Sequence, residues 1–474
     1  MVKKLDGILR QEQELIHGPF MAEPVRDGDA VSGSIDTGTG WKPVRIWRYS
    51  PFGVDILNPD TVNLAQGQKL SIMVRLADYE EIYDGLTVSR LFEDGNRKLA
   101  GVRTFLPKNS PQTAEDRRAH KRWTCPESYL PTGTAPNPVR YNDHIIFRVE
   151  NISAGGLLLL TSLRNKLVGR GQRLVATLTL PLVGIVRTTL QIKHIDTKAI
   201  GDKEYLVLGT QFIHPDELLR ACLAEYLLNF AEGITVRSLR DDSFPVKRFA
   251  RWLDFTYVKT ESEYNEVLHL RYNAYKNANK LAPNKQVIDM ADEFDSRARI
   301  LVVKHQGRVV GSVRTMFHAE TDQTDHGRYI AYPSNFPKLT ETIEASRMCT
   351  DPEFQKTGIV FELLAHMVLT TIKSGRRYLY SGASGSLLEF YKKCGWRLTG
   401  LTYNNDALGG IQHELMLMDT YEVALGKGIG FRFWNRLYAN LIDHMIEQEL
   451  ILPTPYERLR LNLFKTLGSA WRDE

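Results

Sequence analysis

The sequence predicts a multidomain protein: two small antiparallel β-barrels in tandem, followed by a mixed α/β domain. Three observations predict it. The first 230 or so residues are β-rich, with no helices between the strand runs. The same half contains an internal repeat. Beyond about residue 260, strand-like runs alternate with amphipathic helical ones. The length of 474 residues independently suggests roughly three domains at about 150 residues each.

The β-rich runs are VRIWRYSPFGVDIL, KLSIMVRL, HIIFRVENISAGGLLLL, QRLVATLTLPL and EYLVLGTQFI. Each is rich in β-branched and aromatic residues and bounded by Gly, Pro, Asn or Asp. Their repeat aligns VRIWRYSPFGVDIL (44–57) with IIFRVENISAGGLLLL (145–160), so Ser50-Pro-Phe-Gly53 falls on Ser153-Ala-Gly-Gly156. GQKLSIM (67–73) then falls on GQRLVAT (171–177), and LAGVRTF (99–105) near VLGTQFI (207–213). The segment PDELLRACLAEYLLNFAEG has helical spacing, with Pro215 and Gly233 suited to its start and stop. Past it come SEYNEVLHLRYNAYKNA (helix), RILVVKHQGRVVGSVRTMFHA (hairpin), ETIEASRMCT (strand), QKTGIVFELLAHMVLTTIKSG (helix), RYLYSG (strand) and SLLEFYKKCGW (helix, then strand). FRFWNRLYANLIDHMIEQEL reads as an amphipathic helix packed on its own domain, with a peripheral membrane or partner contact as the alternative. These transitions place domains at 1–110, 111–233 and 234–474.

Composition narrows the function classes. Hydrophobic residues at 43% and charged residues at 25% exclude a disordered or low-complexity chain. Lys and Arg total 61 against 56 Asp and Glu, a net charge of +5. That surplus is too mild for a nucleic-acid polymer binder, and leaves room for one local basic site for a small anion. Cys125, Cys222, Cys349 and Cys394 lie far apart, so no zinc pattern is visible and a reducing cytoplasm is the expected compartment. MVKKLDGILRQEQELIH carries charges where a signal peptide needs an apolar run, and the longest apolar stretch, GGLLLLTSL, falls far short of the roughly 20 residues of a membrane span.

Residues 115–123, EDRRAHKRW, crowd Arg117, Arg118, Lys121 and Arg122 just before the second barrel. Alone, this reads as a solvated basic linker. In context, Arg118-x-x-x-Arg122 precedes Asn151-x-Ser153-x-x-Gly156. The pair resembles the signature of the PilZ family, an R-x-x-x-R arm followed by D/N-x-S-x-x-G, over roughly residues 110–232. The resemblance implies a six-stranded barrel that binds cyclic di-GMP, with Arg118, Arg122, Asn151, Ser153 and Gly156 as ligand contacts and Arg117 as an addition. The chemistry is apt: a guanidinium can fork onto the O6/N7 edge of guanine, meet a phosphate bidentately, or stack on a purine. The first barrel keeps Ser50 and Gly53, but Arg48 replaces the Asp/Asn and no R-x-x-x-R lies just upstream. It resembles the degenerate N-terminal domain of two-barrel PilZ proteins, which implies a structural or docking role without nucleotide.

Three features mark the third domain. Gln355-x-x-Gly358 precedes an amphipathic helix, with Val360 at the next place of the loop; helix-start N–H groups suit a pantetheine phosphate. Tyr391 lies four residues before Gly395-Trp396. A sparse polar set runs Arg271-x-x-x-Tyr275, Asp292-Glu-Phe-Asp295, Gly311-Ser-Val-Arg314 and Glu344-Ala-Ser346-Arg347. Together these resemble the GNAT N-acyltransferases, in particular the branch of acyl-homoserine lactone synthases and N-acyl amino acid synthases. The Tyr-x-x-x-Gly-Trp helix fits the amino acid synthases better. The fold implied by both resemblances is two six-stranded antiparallel PilZ-type β-barrels followed by an α/β GNAT-type acyltransferase domain. The activity implied is acyl transfer from a carrier thioester, on acyl carrier protein or coenzyme A, to an amine such as an amino acid.

Such aminolysis needs an unprotonated amine, a stabilised oxyanion and an outgoing thiolate. Glu344 is the candidate base, Tyr391 the candidate acid for the thiolate, and backbone N–H groups where strands splay the candidate oxyanion donors. Strand alternation puts Glu344 and Ser346 on one face and Arg347 on the other, as a supporting group. An ion-pair network that only holds the fold is the alternative for Arg271, Asp292, Asp295 and Arg314. Cys349 and Cys394 are expected to be buried, inert thiols. The combined expectation is a cytoplasmic N-acyltransferase regulated by cyclic di-GMP, ordering of the basic arm between the barrels reorienting the domains. The alternative is a non-catalytic cyclic di-GMP receptor whose GNAT-like domain serves as a partner-binding output; an enzyme with purely structural barrels is a third reading.

Overall fold

Strict alternation builds the N-terminal strands. Lys69–Leu76 reads KLSIMVRL and buries every second side chain, as a strand with one face on a core must. The computed structural model describes residues 23–57, 64–103, 120–246, 252–281, 283–405 and 410–469. Two units are distinguished, 1–234 with 238–247, and 235–237 with 248–474.

In the first unit, β1 (Glu23–Pro24), β2 (Val31–Asp36), β3 (Lys42–Val44), β4 (Ile46–Ser50), β5 (Gly53–Leu57), β6 (Lys69–Leu76), β7 (Tyr79–Asp94) and β8 (Arg97–Arg103) form one antiparallel sheet ordered β1-β4-β5-β8-β7-β6-β2-β3. β7 serves both halves: its first part pairs with β6 and its second with β8. A second sheet holds β9 (Arg122–Thr124), β10 (Thr132–Pro136), β11 (His144–Ser153), β12 (Gly156–Ser162), β13 (Arg173–Leu180), β14 (Gly184–Ile200) and β15 (Lys203–Ile213), ordered β10-β13-β14-β15-β12-β11-β9. β10 also pairs with β11, which closes the ring, and β9 lies along the far end of β11.

The expectation of two six-stranded barrels is met only in part. The first sheet has eight strands, and its edges β1 and β3 do not pair with each other. The second has seven, one of which stands outside the ring. β7 and β14 are absent from the apolar runs because their outer faces are largely polar, which breaks any continuous apolar stretch. The two sheets also share a core: Val139 and Leu167 of the second pack into the cluster around Ile35, Ile56 and Ile72 of the first. Arg140 fastens the join, its Nη2 standing 2.7 Å from Asp29 and its Nη1 on Glu23. The junction between barrels is therefore buried and ion-paired rather than a free hinge. α1 (Glu217–Phe230), capped by Asp216 through the N–H of Leu219 at 2.7 Å, packs on the second barrel. The short α2 (Val236–Asp241) follows.

The second unit has a sheet ordered β16-β17-β18-β19-β20-β22-β21, formed by β16 (Asp254–Tyr257), β17 (Arg299–His305), β18 (Arg308–Phe317), β19 (Thr342–Thr350), β20 (Tyr378–Ala383), β21 (Arg397–Asn405) and β22 (Ile411–Asp419). α3 (Glu261–Asn277) starts at a Thr260/Glu263 capping box and packs on β18 and β19. α4 (Ile359–Lys373) and α5 (Ser386–Lys393) flank β20 in sequence. All pairings are antiparallel except β19 with β20, which are parallel and paired only over Thr342–Glu344 and Tyr378–Tyr380. Past those residues, 345–350 and 381–383 do not pair with each other, leaving a wedge in the sheet. α6 (Thr420–Ala424) leads into a tail of three further helices: α7 (Phe431–Tyr438), α8 (Ile442–Glu447) and α9 (Pro455–Ser469). The expected single tail helix is thus two, α7 and α8, with α7 anchored by Trp434, fully buried and donating to the Ala424 carbonyl at 2.8 Å. No helix of the described residues is long and apolar enough to cross a membrane.

Candidate functional site

The motif residues of the second barrel meet at one hairpin. β9 brings Arg122 directly opposite Ser153, and Thr124 opposite Asn151. Arg117 and Arg118 lie outside the described residues. Ser153 closes the β11–β12 turn: its Oγ donates to the Gly156 carbonyl at 3.1 Å and accepts the Gly156 N–H at 3.2 Å. The close approach at Gly156 is made by the barrel's own chain, since a Cβ there would sit 1.9 Å from the Thr210 carbonyl oxygen. Ser153 and Gly156 therefore shape the turn, while Arg122 and Asn151 face outward on it. Asn151 lines an open cleft of about 790 Å³ with Thr124, Arg148, Glu150 and Lys198. A glutamate at a β-bulge, Glu150, explains why two successive side chains there both face the cleft.

In the second unit the sparse polar set comes together as one buried network. Arg271, with no exposed surface, forks onto Asp295 at 2.6 and 3.0 Å. Arg314, equally buried, reaches Asp292 and Asp295 at 3.1 Å, Ser346 at 3.0 Å and Asp325. Arg347 meets Asp292 at 2.7 Å. Burial pushes the Asp292 carboxyl up, but Arg314, the Phe294 N–H and Arg347 outweigh it and bring it down to about 2. Tyr275 sits against Cys349 and the arginines of this network. The fold-holding reading suits Arg271, Asp292, Asp295 and Arg314, because they pair with one another and with Asp325, Ser346 and Arg347 in one buried network. Arg347 departs from strand alternation: it adopts φ +55° where Arg347 and Met348 together oppose Val313, so its side chain joins the same cluster as Ser346 instead of the opposite face.

Glu344 stands where β19 and β20 part, fully buried. Its Oε2 accepts from His318 Nε2 at 2.6 Å and from the Asp325 N–H at 3.1 Å; its Oε1 accepts the His326 N–H at 2.8 Å and pairs with His326 Nδ1. Burial opposes its charge, yet the adjoining His326 and the hydrogen bonds from both histidines hold it well below the usual carboxylate range. A carboxylate so stabilised is a counter-ion, and a poor direct base for an amine. His326 was not marked by any sequence pattern. It arrives on the long 318–341 connection between β18 and β19, eighteen residues from its partner, and loop residues carry no periodicity. Its Nε2 points at the wedge: a Cβ on Gly382 of β20 would lie 3.1 Å from it and 1.8 Å from Tyr403 Oη. Tyr403 stacks on Tyr329 and His413, and meets His326 edge-on.

Gln355 and Gly358 line a separate cavity of about 550 Å³ at the start of α4, with Phe354, Phe361, Phe390 and Arg436. Gly358 caps the helix at φ +90°, a left-handed conformation that favours glycine. Tyr391 is packed edge-on to Trp396 in α5, and burial drives its phenol well above the usual range, so it keeps its proton. All four cysteines are buried and free; burial pushes the Cys394 thiol up to about 12.

Residues 270–365 match the model of the Acetyltransferase (GNAT) domain family. A stretch of 97 residues is 28% identical to the tRNA(Met) cytidine acetyltransferase TmcA of Actinobacillus pleuropneumoniae serotype 5b, covering 19% of this chain and 16% of that protein. The chain thus spans about a sixth of the length of that curated relative. Among solved structures, the K. pneumonia MrkH–c-di-GMP complex is 14% identical and covers 42% of this chain and 86% of its own, with a TM-score of 0.21. The PilZ domain of Escherichia coli YcgR with c-di-GMP is 17% identical, covers 22% and 82%, and scores 0.20. FeeM, an N-acyl amino acid synthase from uncultured soil microbes, is 9% identical, covers 37% and 94%, and scores 0.28. What the family match supports is likeness over one stretch: residues 270–365, about a fifth of the chain, are similar to the GNAT acetyltransferase domain.

Proposed function

We propose that the chain is a cyclic di-GMP-responsive N-acyltransferase that moves an acyl group from a carrier thioester to an amine, of which an amino acid is the simplest instance. The observation that carries the catalytic half is the wedge between β19 and β20 within a GNAT-like domain, with His326 Nε2 and Tyr403 Oη converging on Gly382. Glu344, ionised, takes the Nδ1–H of His326 and leaves Nε2 free to receive the proton of the attacking amine. Glu344 is then a positioning residue, as is Arg347 through Asp292. The amine nitrogen forms a bond to the thioester carbon, the carbonyl oxygen becomes an oxyanion facing the unpaired strand edges, and collapse expels the thiolate. Tyr391, which holds its proton, is the donor proposed for that thiolate. The Gln355–Phe361 cavity suits the pantetheine arm, of acyl carrier protein before coenzyme A.

Support for the regulatory half is the juxtaposition of Arg122, Asn151 and the cleft, with Arg117 and Arg118 just upstream. Mass spectrometry of lipid extracts from overexpressing cells tests the enzyme. A new N-acyl amine is expected with wild type and lost with His326→Ala; the same product from both counts against this chemistry. Calorimetry with cyclic di-GMP tests the receptor, and absence of heat removes the regulatory half while leaving the enzyme standing.

A further inference from the structure

The outer face of β11 carries one more cation than the paired motif accounts for. Arg148 lies three residues before Asn151 and lines the same 790 Å³ cleft, a volume within the range of nucleotide-sized sites. Its guanidinium carbon stands 5.1 Å from the ring centroid of Tyr205. Its Nε is buried with no hydrogen-bond partner among the described residues. The other cation of the cleft, Lys198, is occupied, its Nζ lying 2.7 Å from Glu150. Glu127 also lines the cleft, but Arg148 has no ion-pair partner among the described residues, so its guanidinium stands unpaired on a rigid strand. An aromatic ring behind a guanidinium fixes its plane and leaves the N–H fork to point sideways into the open space.

We propose that Arg148, backed by Tyr205, is a guanine-reading contact of this cleft, its fork meeting the O6 and N7 of one base. This rests on the dinucleotide reading above and deepens it: a pre-set arginine on the barrel selects the base. An adenine presents N7 and an amino donor in place of O6, so the same fork would face a donor and bind it poorly.

The test is calorimetry on the full chain with cyclic di-GMP and cyclic di-AMP. Wild type is expected to prefer the guanine ligand. Arg148→Ala is expected to weaken cyclic di-GMP about tenfold and to shrink the preference by a similar factor. Arg148→Lys, which keeps charge and stem but lacks the fork, is expected to behave like the alanine variant and guards against a folding defect. Tyr205→Phe is expected to bind as wild type does. Unchanged affinity in both Arg148 variants, against a wild type that binds, overturns this inference alone. Weakened binding with the base preference intact overturns it as well, leaving Arg148 a phosphate or packing group. A wild type that binds neither ligand removes the dinucleotide reading and this inference together.

Discussion

The two barrels of the first unit make the same turn and put it to different use. Ser50 pairs with Gly53, and its Oγ donates to the Gly53 carbonyl at 3.2 Å while accepting the Phe52 N–H at 3.2 Å. Ser153 repeats the pairing with Gly156 and the donation to its carbonyl in the second barrel, but accepts the Gly156 N–H itself, three residues on instead of two. Two residues before each serine the barrels diverge. Arg48 spends its charge on Asp94 at 3.2 Å and on Asp55 at 3.9 Å, and Arg90 meets Asp55 at 3.4 Å. Asn151 instead looks into a cleft beside Arg122 and Arg148. On one surface the arginines are ion-paired within the barrel, while on the other Arg148 has no ion-pair partner among the described residues. A shared scaffold therefore leaves the electrostatics of the surface open; what sets them is whether the outward charges have internal partners.

The sharpest way to break this contrast is at the arginines. Arg118→Ala with Arg122→Ala is expected to weaken cyclic di-GMP at least about a hundredfold by calorimetry. Arg48→Ala is expected to change it by less than about twofold. Comparable losses from both would mean that the first barrel takes part in binding. Next in size is Gly156→Ala. With the Thr210 carbonyl in the way, the strand must shift, at a cost of about 3 kcal/mol and a melting point lower by roughly 9 °C in calorimetric scans. An unchanged melting point would show that the β12–β15 contact yields easily.

Acid response extends the contrast to the second unit. Asp55 and Asp292 both lie among arginines, yet burial raises Asp55 whereas Arg314, the Phe294 N–H and Arg347 bring Asp292 to about 2. A carboxyl depressed in the folded state stabilises above its unfolded value of 3.8, and that stabilisation fades as pH falls towards 2. Asp292 is worth about 2 kcal/mol at neutral pH on this basis, a contribution gone below pH 2. Asp55 has the opposite sign: it takes up its proton earlier than an unfolded Asp, so acidification relieves the first barrel. Denaturant melts of Asp292→Asn and Asp55→Asn between pH 2 and 7 check this; equal pH slopes for the two would refute it. The smallest effects belong to the turn serines. Ser50→Ala and Ser153→Ala are each expected to cost about 1 kcal/mol in denaturant melts. A Ser153→Ala variant that folds normally but loses the nucleotide would make that hydroxyl a ligand contact.

Much of this organisation was legible because local signals agreed. The repeat around Ser50 and Ser153 appears as two matching hairpins, and the elements from α3 to α5 fall where periodicity predicts them. The chemistry proposed for the wedge is less legible. Glu344 was visible in its strand motif, but not the two histidines that make it a counter-ion, because they come from a connection whose path depends on packing. Arg347 was assigned to the wrong face, since a bulge is a property of the pairing with β18 and leaves no mark on alternation.

The apolar strand runs, the repeated turns and the residue types available for anion binding follow from the chain alone, because period, branching and side-chain charge are local quantities. Which charges remain unspent is different. Arg48 and Arg148 are the same residue on homologous strands, and only the tertiary structure gives one of them carboxylates and the other an aromatic ring and open space. Electrostatic compensation acts through a few ångströms of space between residues distant in sequence, so it is settled when the sheets pack.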